Sequence, residues 1–85
     1  MISTEIPNVL LVDDDSLILQ TYEAALAKLR YRVVKVQDGQ AALEALAAWP
    51  FDVIVSDINM PGMSGLQLLK ALREKKPDIP VVLIT

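Results

Sequence analysis

The residues of this chain that could do chemistry are mostly acidic, and they fall at the ends of apolar runs. Asp13, Asp14 and Asp15 follow Val9-Leu10-Leu11-Val12, and Asp57 follows Val53-Ile54-Val55-Ser56. Thr85 follows a further run, Val81 to Ile84. One aspartate after a strand is most often a helix cap or turn residue. Two acidic strand ends and one ending in a hydroxyl residue, in this order, ask for a joint explanation. Carboxylates gathered at one edge repel one another and coexist with a cation or with raised pKa values. Hard oxygen donors with room for water suit Mg²⁺. Magnesium beside a carboxylate nucleophile serves phosphoryl transfer to an aspartate, and a hydroxyl can bond one phosphoryl oxygen.

These groups meet only if the elements that carry them lie side by side. The continuous apolar run Val9 to Val12 predicts a strand buried on both faces. From Ser16 to about Leu29 the periodicity becomes helical, with Ile18, Tyr22, Ala25, Leu26 and Leu29 as the inward stripe and Asp15 as N-cap. Tyr31 to Val36 reads as a second strand, and Asp38 as the N-cap of a helix from Gln40 to Ala48 that Pro50 closes. Trp49, near the end of that helix, is expected to be partly packed.

Phe51 to Ser56 is the third strand, and alternation turns Ser56 away from Asp57. The stretch from Asn59 to Gly65 holds a proline and two glycines and reads as a loop, with Met60 and Met63 packing beneath it. A third helix runs to about Lys75 with Leu68, Leu69 and Leu72 inward, and Val81 to Ile84 is a fourth strand. The order βαβαβαβ implies an α/β fold with parallel strands. The carboxyl ends of such strands form the edge where ligands bind.

Composition narrows the setting. Eighty-five residues make one domain, and 53% of them are hydrophobic. Cysteine is absent, which fits a reducing cytoplasm. The apolar runs are too short to span a membrane, and Glu5 and Pro7 stand where a signal peptide would have its basic and apolar segments. The formal charge is −3 with no basic run, which argues against nucleic-acid binding by this segment.

Three segments carry a resemblance: Leu10-Leu11-Val12-Asp13-Asp14-Asp15, the unbroken stretch Val53 through Gly65 with Asp57, Asn59 and Met60-Pro61-Gly62, and Val82-Leu83-Ile84-Thr85. Together they resemble a response-regulator receiver domain of two-component signalling, over essentially residues 8 to 85. The resemblance implies a flavodoxin-like doubly wound parallel sheet of strand order 2-1-3-4-5. It implies that Asp57 accepts a phosphoryl group from a sensor histidine kinase or phosphotransfer protein. By the same likeness Asp14 is a direct Mg²⁺ ligand, Asp13 acts mainly through water, and Asp57 and the backbone carbonyl of Asn59 complete the protein ligands. Thr85 matches the hydroxyl residue that moves toward the phosphoryl group.

The family pattern continues past a fourth strand with a helix, a lysine-bearing fifth strand and a last helix. Residues 1–85 are therefore expected to be the N-terminal part of a single receiver domain, switching poorly or not at all. An uncovered Val81 to Ile84 edge predicts self-association, most simply as a two-fold dimer. Two other readings use the same residues. A haloacid-dehalogenase-type phosphatase would use Asp13 and Asp15 with Thr85, but leaves Asp57 and the Met60-Pro61-Gly62 loop unexplained. A receiver-like interaction module would never be phosphorylated at all.

Overall fold

An uninterrupted apolar strand belongs in the middle of a sheet, and β1 (Asn8–Val12) takes that place in the computed structural model, which describes residues 6–76 and 78–84. Val9, Leu10, Leu11 and Val12 are all buried, pointing by turns to opposite faces. β2 (Arg32–Val36) pairs with one side of β1 and β3 (Val53–Asp57) with the other, both parallel, so that Leu10 lies opposite Val34 and Ile54. β4 (Val81–Ile84) joins the far side of β3 with Val55 opposite Val82, giving the order β2-β1-β3-β4.

Helices cover both faces. On one, α2 (Gly39–Ala48) and α3 (Gly65–Lys75) bring Ala42, Leu46, Leu68 and Leu72 against Leu10, Val12 and Ile54. Fully burying each large aliphatic side chain here contributes about 1.5–3 kcal/mol. On the other face, α1 (Ser16–Lys28) seats Leu19 against Val9 and Leu11, with Leu26, Val33, Val53 and Val55 half-buried around them. This face is the thinner of the two: Val82, which alternation places on it, is 48% exposed.

The helix starts follow their expected chemistry. Asp15 caps α1 by accepting from the Leu17 and Ile18 amides, and Asp38 caps α2 by accepting from Ala41. Ser64 and Gln67 form a reciprocal capping box on α3. The α2 helix begins one residue before the expected Gln40, at Gly39. α1 ends in a pair of bonds, Tyr31 N–H to Leu26 O and Arg30 N–H to Ala27 O, with Arg30 in the left-handed region at φ 64°.

The inward stripe of α1 is corrected. Ile18 and Tyr22 are 39% and 40% exposed and Leu29 is 64% exposed, while Leu19 and Leu26 face the sheet. The residue between those two on the same stripe is Glu23, which is half-buried and reaches Lys35 of β2 at 3.0 Å. A charged residue in the middle of the true stripe hides it from an apolar periodicity. Trp49 is the C-cap of α2 in extended conformation and, at 57% exposed, is partly covered.

Candidate functional site

Because β1 and β3 are parallel neighbours in register, with Val12 opposite Ser56, their next residues emerge side by side at the carboxyl edge. Carboxylate oxygens of Asp13, Asp14 and Asp57 all lie within 4.8 Å of one another. Asp13 is 4% exposed, Asp57 half-buried and Asp14 exposed, so the cluster grades from the sheet outward to solvent. This is the only such acidic group among the described residues.

Local hydrogen bonds hold the carboxylates in place. Asp13 Oδ1 accepts from the Asp15 N–H at 2.9 Å, and the Asp13 N–H donates to Val36 O at 3.2 Å, tying it to β2. Asp57 Oδ1 accepts from the Asn59 N–H at 3.2 Å, which draws the start of the β3–α3 loop toward Asp57. Burial above all pushes the Asp13 carboxyl above its ordinary value. The Asp15 N–H opposes that push, while the charges of Asp57, Asp14 and Asp15 add to it. A group in this condition is stabilised by a cation or by a proton.

The loop after Asp57 is built backbone against backbone. The Gly65 N–H donates to Ile58 O at 2.8 Å, and a Cβ at Gly65 would strike the Asp57 carbonyl oxygen and come 2.8 Å from Ile58 Cα. Ser56 is fully buried on the side away from the cluster, with its hydroxyl donating to Asp57 O at 3.0 Å. Met60 is buried in the core beneath the loop, Met63 packs at its edge, and Gly62 turns the chain with φ 77°.

The structure thus brings Asp13, Asp14 and Asp57 together and sets Asn59 beside them. Asp15 caps α1 through its Oδ1 and does not belong to the clustered carboxylates. β4 runs beside β3 with Ile84 opposite Asp57; Thr85 itself lies outside the described residues. The close approach of Gly65 to the Asp57–Ile58 peptide escaped the sequence reading, which treated this glycine only as loop punctuation.

Comparison with known proteins agrees with this geometry. Residues 9–85 match the family model described as the response regulator receiver domain. The chain is 46% identical over 74 residues to the DNA-binding transcriptional regulator NtrC of Escherichia coli K12, covering 87% of this chain and 16% of that protein. It therefore spans about a sixth of the length of that relative. Chemotaxis protein CheY4 of Vibrio cholerae superposes with a TM-score of 0.89 at 36% identity, over 93% of this chain and 68% of that one. Response regulator TrrA of Thermotoga maritima, solved with Mg²⁺ and BeF, superposes with a TM-score of 0.88 at 31% identity, over 92% and 68%. A further similar structure shows TrrA in complex with the histidine kinase ThkA (TM-score 0.89, 31% identity, 94% and 69% covered).

Proposed function

This chain belongs to the response regulator receiver domain family, and from that premise we propose that it accepts a phosphoryl group on Asp57 from a histidine kinase or phosphotransfer protein. The observation that carries the proposal is the meeting of Asp13, Asp14 and Asp57 within 4.8 Å at the ends of two adjacent parallel strands. Asp57 is the member with a nucleophile's setting. It is half-buried, oriented by the Asn59 N–H, and its own backbone is clamped between Ser56 and Gly65.

The donor set fits Mg²⁺: oxygen ligands only, graded from buried to exposed, with room for water on the open side. Asp14 and Asp57 would hold the ion directly, the Asn59 carbonyl would complete the protein ligands, and Asp13 would act through water. Bound there, the ion would neutralise charge between the acceptor carboxylate and the incoming phosphoryl oxygens. In the transfer, an Asp57 carboxylate oxygen forms the bond to phosphorus as the bond to the donor imidazole nitrogen breaks. The electron pair returns to the ring. Thr85 supplies a hydroxyl to one phosphoryl oxygen. The chain acts here as an acceptor, with no substrate turned over.

Support for the donor comes from the resemblance to TrrA, which binds a histidine kinase in one of the similar structures. The test is chemical. Incubation with a small phosphoryl donor and Mg²⁺ should label Asp57, and Asp57→Asn should remove the label. Label that persists in that variant, above all on Asp13, would overturn the assignment in favour of phosphatase-type chemistry.

A further inference from the structure

Gly39 opens α2 although nothing in the conformation there calls for glycine: its φ is not positive, and alanine is the better helix former by about 1 kcal/mol. Space supplies the reason. A Cβ at Gly39 would lie 2.7 Å from Met63 Sδ, 2.8 Å from its Cβ and 2.9 Å from its Cγ. Met63 therefore rests on bare helix backbone, closer than any side chain at that position would permit.

Met63 belongs to the segment between Asp57 and α3. That segment is closed at its base by the Gly65 N–H bond to Ile58 O and sunk into the core at Met60. Its far limb, past the turn at Gly62, leans on Gly39 through Met63. Gly39 is a firm stop, because the Asp38 carboxylate holds the first turn of α2 at 2.7 Å and the preceding strand is bonded to Asp13 through Val36 O.

We infer that Gly39 is a positioning residue for the acceptor loop, acting through Met63 to keep Asn59 at the distance from Asp57 that a shared cation needs. It touches neither acceptor nor metal. The inference rests on the metal site proposed above. Moving the loop outward by the thickness of one methyl group displaces Asn59 from the two aspartates while leaving those aspartates where they are.

The experiment combines Gly39→Ala with Met63→Gly in a double-mutant cycle, read in two ways. Without metal, the Asn59 amide resonance reports loop position; with metal, a Mg²⁺ titration reports affinity. Gly39→Ala should shift the Asn59 amide and weaken Mg²⁺ binding roughly 10-fold, the lower end of what disturbing groups that orient metal ligands costs. In the Met63→Gly background the same substitution should change neither appreciably, since the atoms it would strike are gone. An unmoved Asn59 amide in Gly39→Ala, or an equal loss in both backgrounds, would overturn the inference. If Gly39→Ala alone does not fold, recovery of the fold in the Met63→Gly background supports the contact, and continued failure overturns it. A wild-type chain indifferent to Mg²⁺ would sink the metal reading alone, because the metal-free amide shift still judges the steric coupling.

Discussion

Replacing Asp13 by Asn should stabilise the metal-free protein. Asp13 is 4% exposed and its carboxylate approaches those of Asp14 and Asp57 within 4.8 Å. At that separation each like-charge pair costs about 0.9 kcal/mol in a water-like medium and about 3.5 kcal/mol at an effective dielectric constant near 20. Asn at this position keeps an oxygen for the Asp15 N–H, now 2.9 Å from Asp13 Oδ1, but exchanging a charged acceptor for a neutral one gives up about 1 kcal/mol. For the two pairs together the balance favours the variant by about 1 kcal/mol in the water-like limit and about 6 kcal/mol in the other at pH 7, a rise in Tm of about 4–8 °C for each kcal/mol in a domain of this size. The folded protein holds the Asp13 proton more tightly than the unfolded chain does, because its pKa is raised by burial and by its acidic neighbours. Stability from that proton is therefore present in full below the unfolded value, roughly pH 4, and is lost as pH rises through the folded one. The advantage of Asp13→Asn should accordingly be largest near neutrality and shrink on acidification. Thermal unfolding in a chelator from pH 4 to pH 7.5 measures this directly. Excess Mg²⁺ should raise the Tm of the wild type more than that of the variant. A variant no more stable than wild type at pH 7, or one whose advantage grows as pH falls, would refute the reasoning.

Three further outcomes follow from the same geometry. Asp14→Ala should abolish the Mg²⁺-dependent shifts of the Asp57 and Asn59 amides while leaving the fold intact, since Asp14 is exposed; a full response in that variant would remove Asp14 from the site. Gly65→Ala should destabilise by about 3 kcal/mol, the upper end for overpacking, because its Cβ meets the rigid Asp57–Ile58 peptide; denaturant unfolding at unchanged midpoint would contradict the contact. For a polypeptide of residues 1–85 taken by itself, apolar Val82 on β4, with Ile18 and Tyr22 exposed on the helix that covers the same sheet face, should drive concentration-dependent self-association. Sedimentation across a concentration series tests this, with Val82→Lys expected to favour the monomer; a species that stays monomeric throughout would count against it.

Much of the site was legible before any fold was known, because the signals are local. An apolar run that stops at an aspartate places that aspartate at a strand end, and the alternation of runs with helical periods makes the strands parallel. Asp13, Asp14 and Asp57 at one edge follow from those two facts. The caps at Asp15 and Asp38 were equally legible, since a capping carboxylate bonds amides two or three residues on. The phase of α1 was not. Two apolar stripes lie side by side on that helix, and the one interrupted by Glu23 faces the sheet, because Glu23 reaches Lys35 on a strand distant in sequence. Nor could the seats of Met63 on Gly39 and of Gly65 on the Asp57 peptide be read from residue types. Hydrogen-bond caps and alternation act over a few residues and leave their mark in sequence. Close approach of one backbone to another is settled only when distant elements pack, and glycine records that something must come near without saying what.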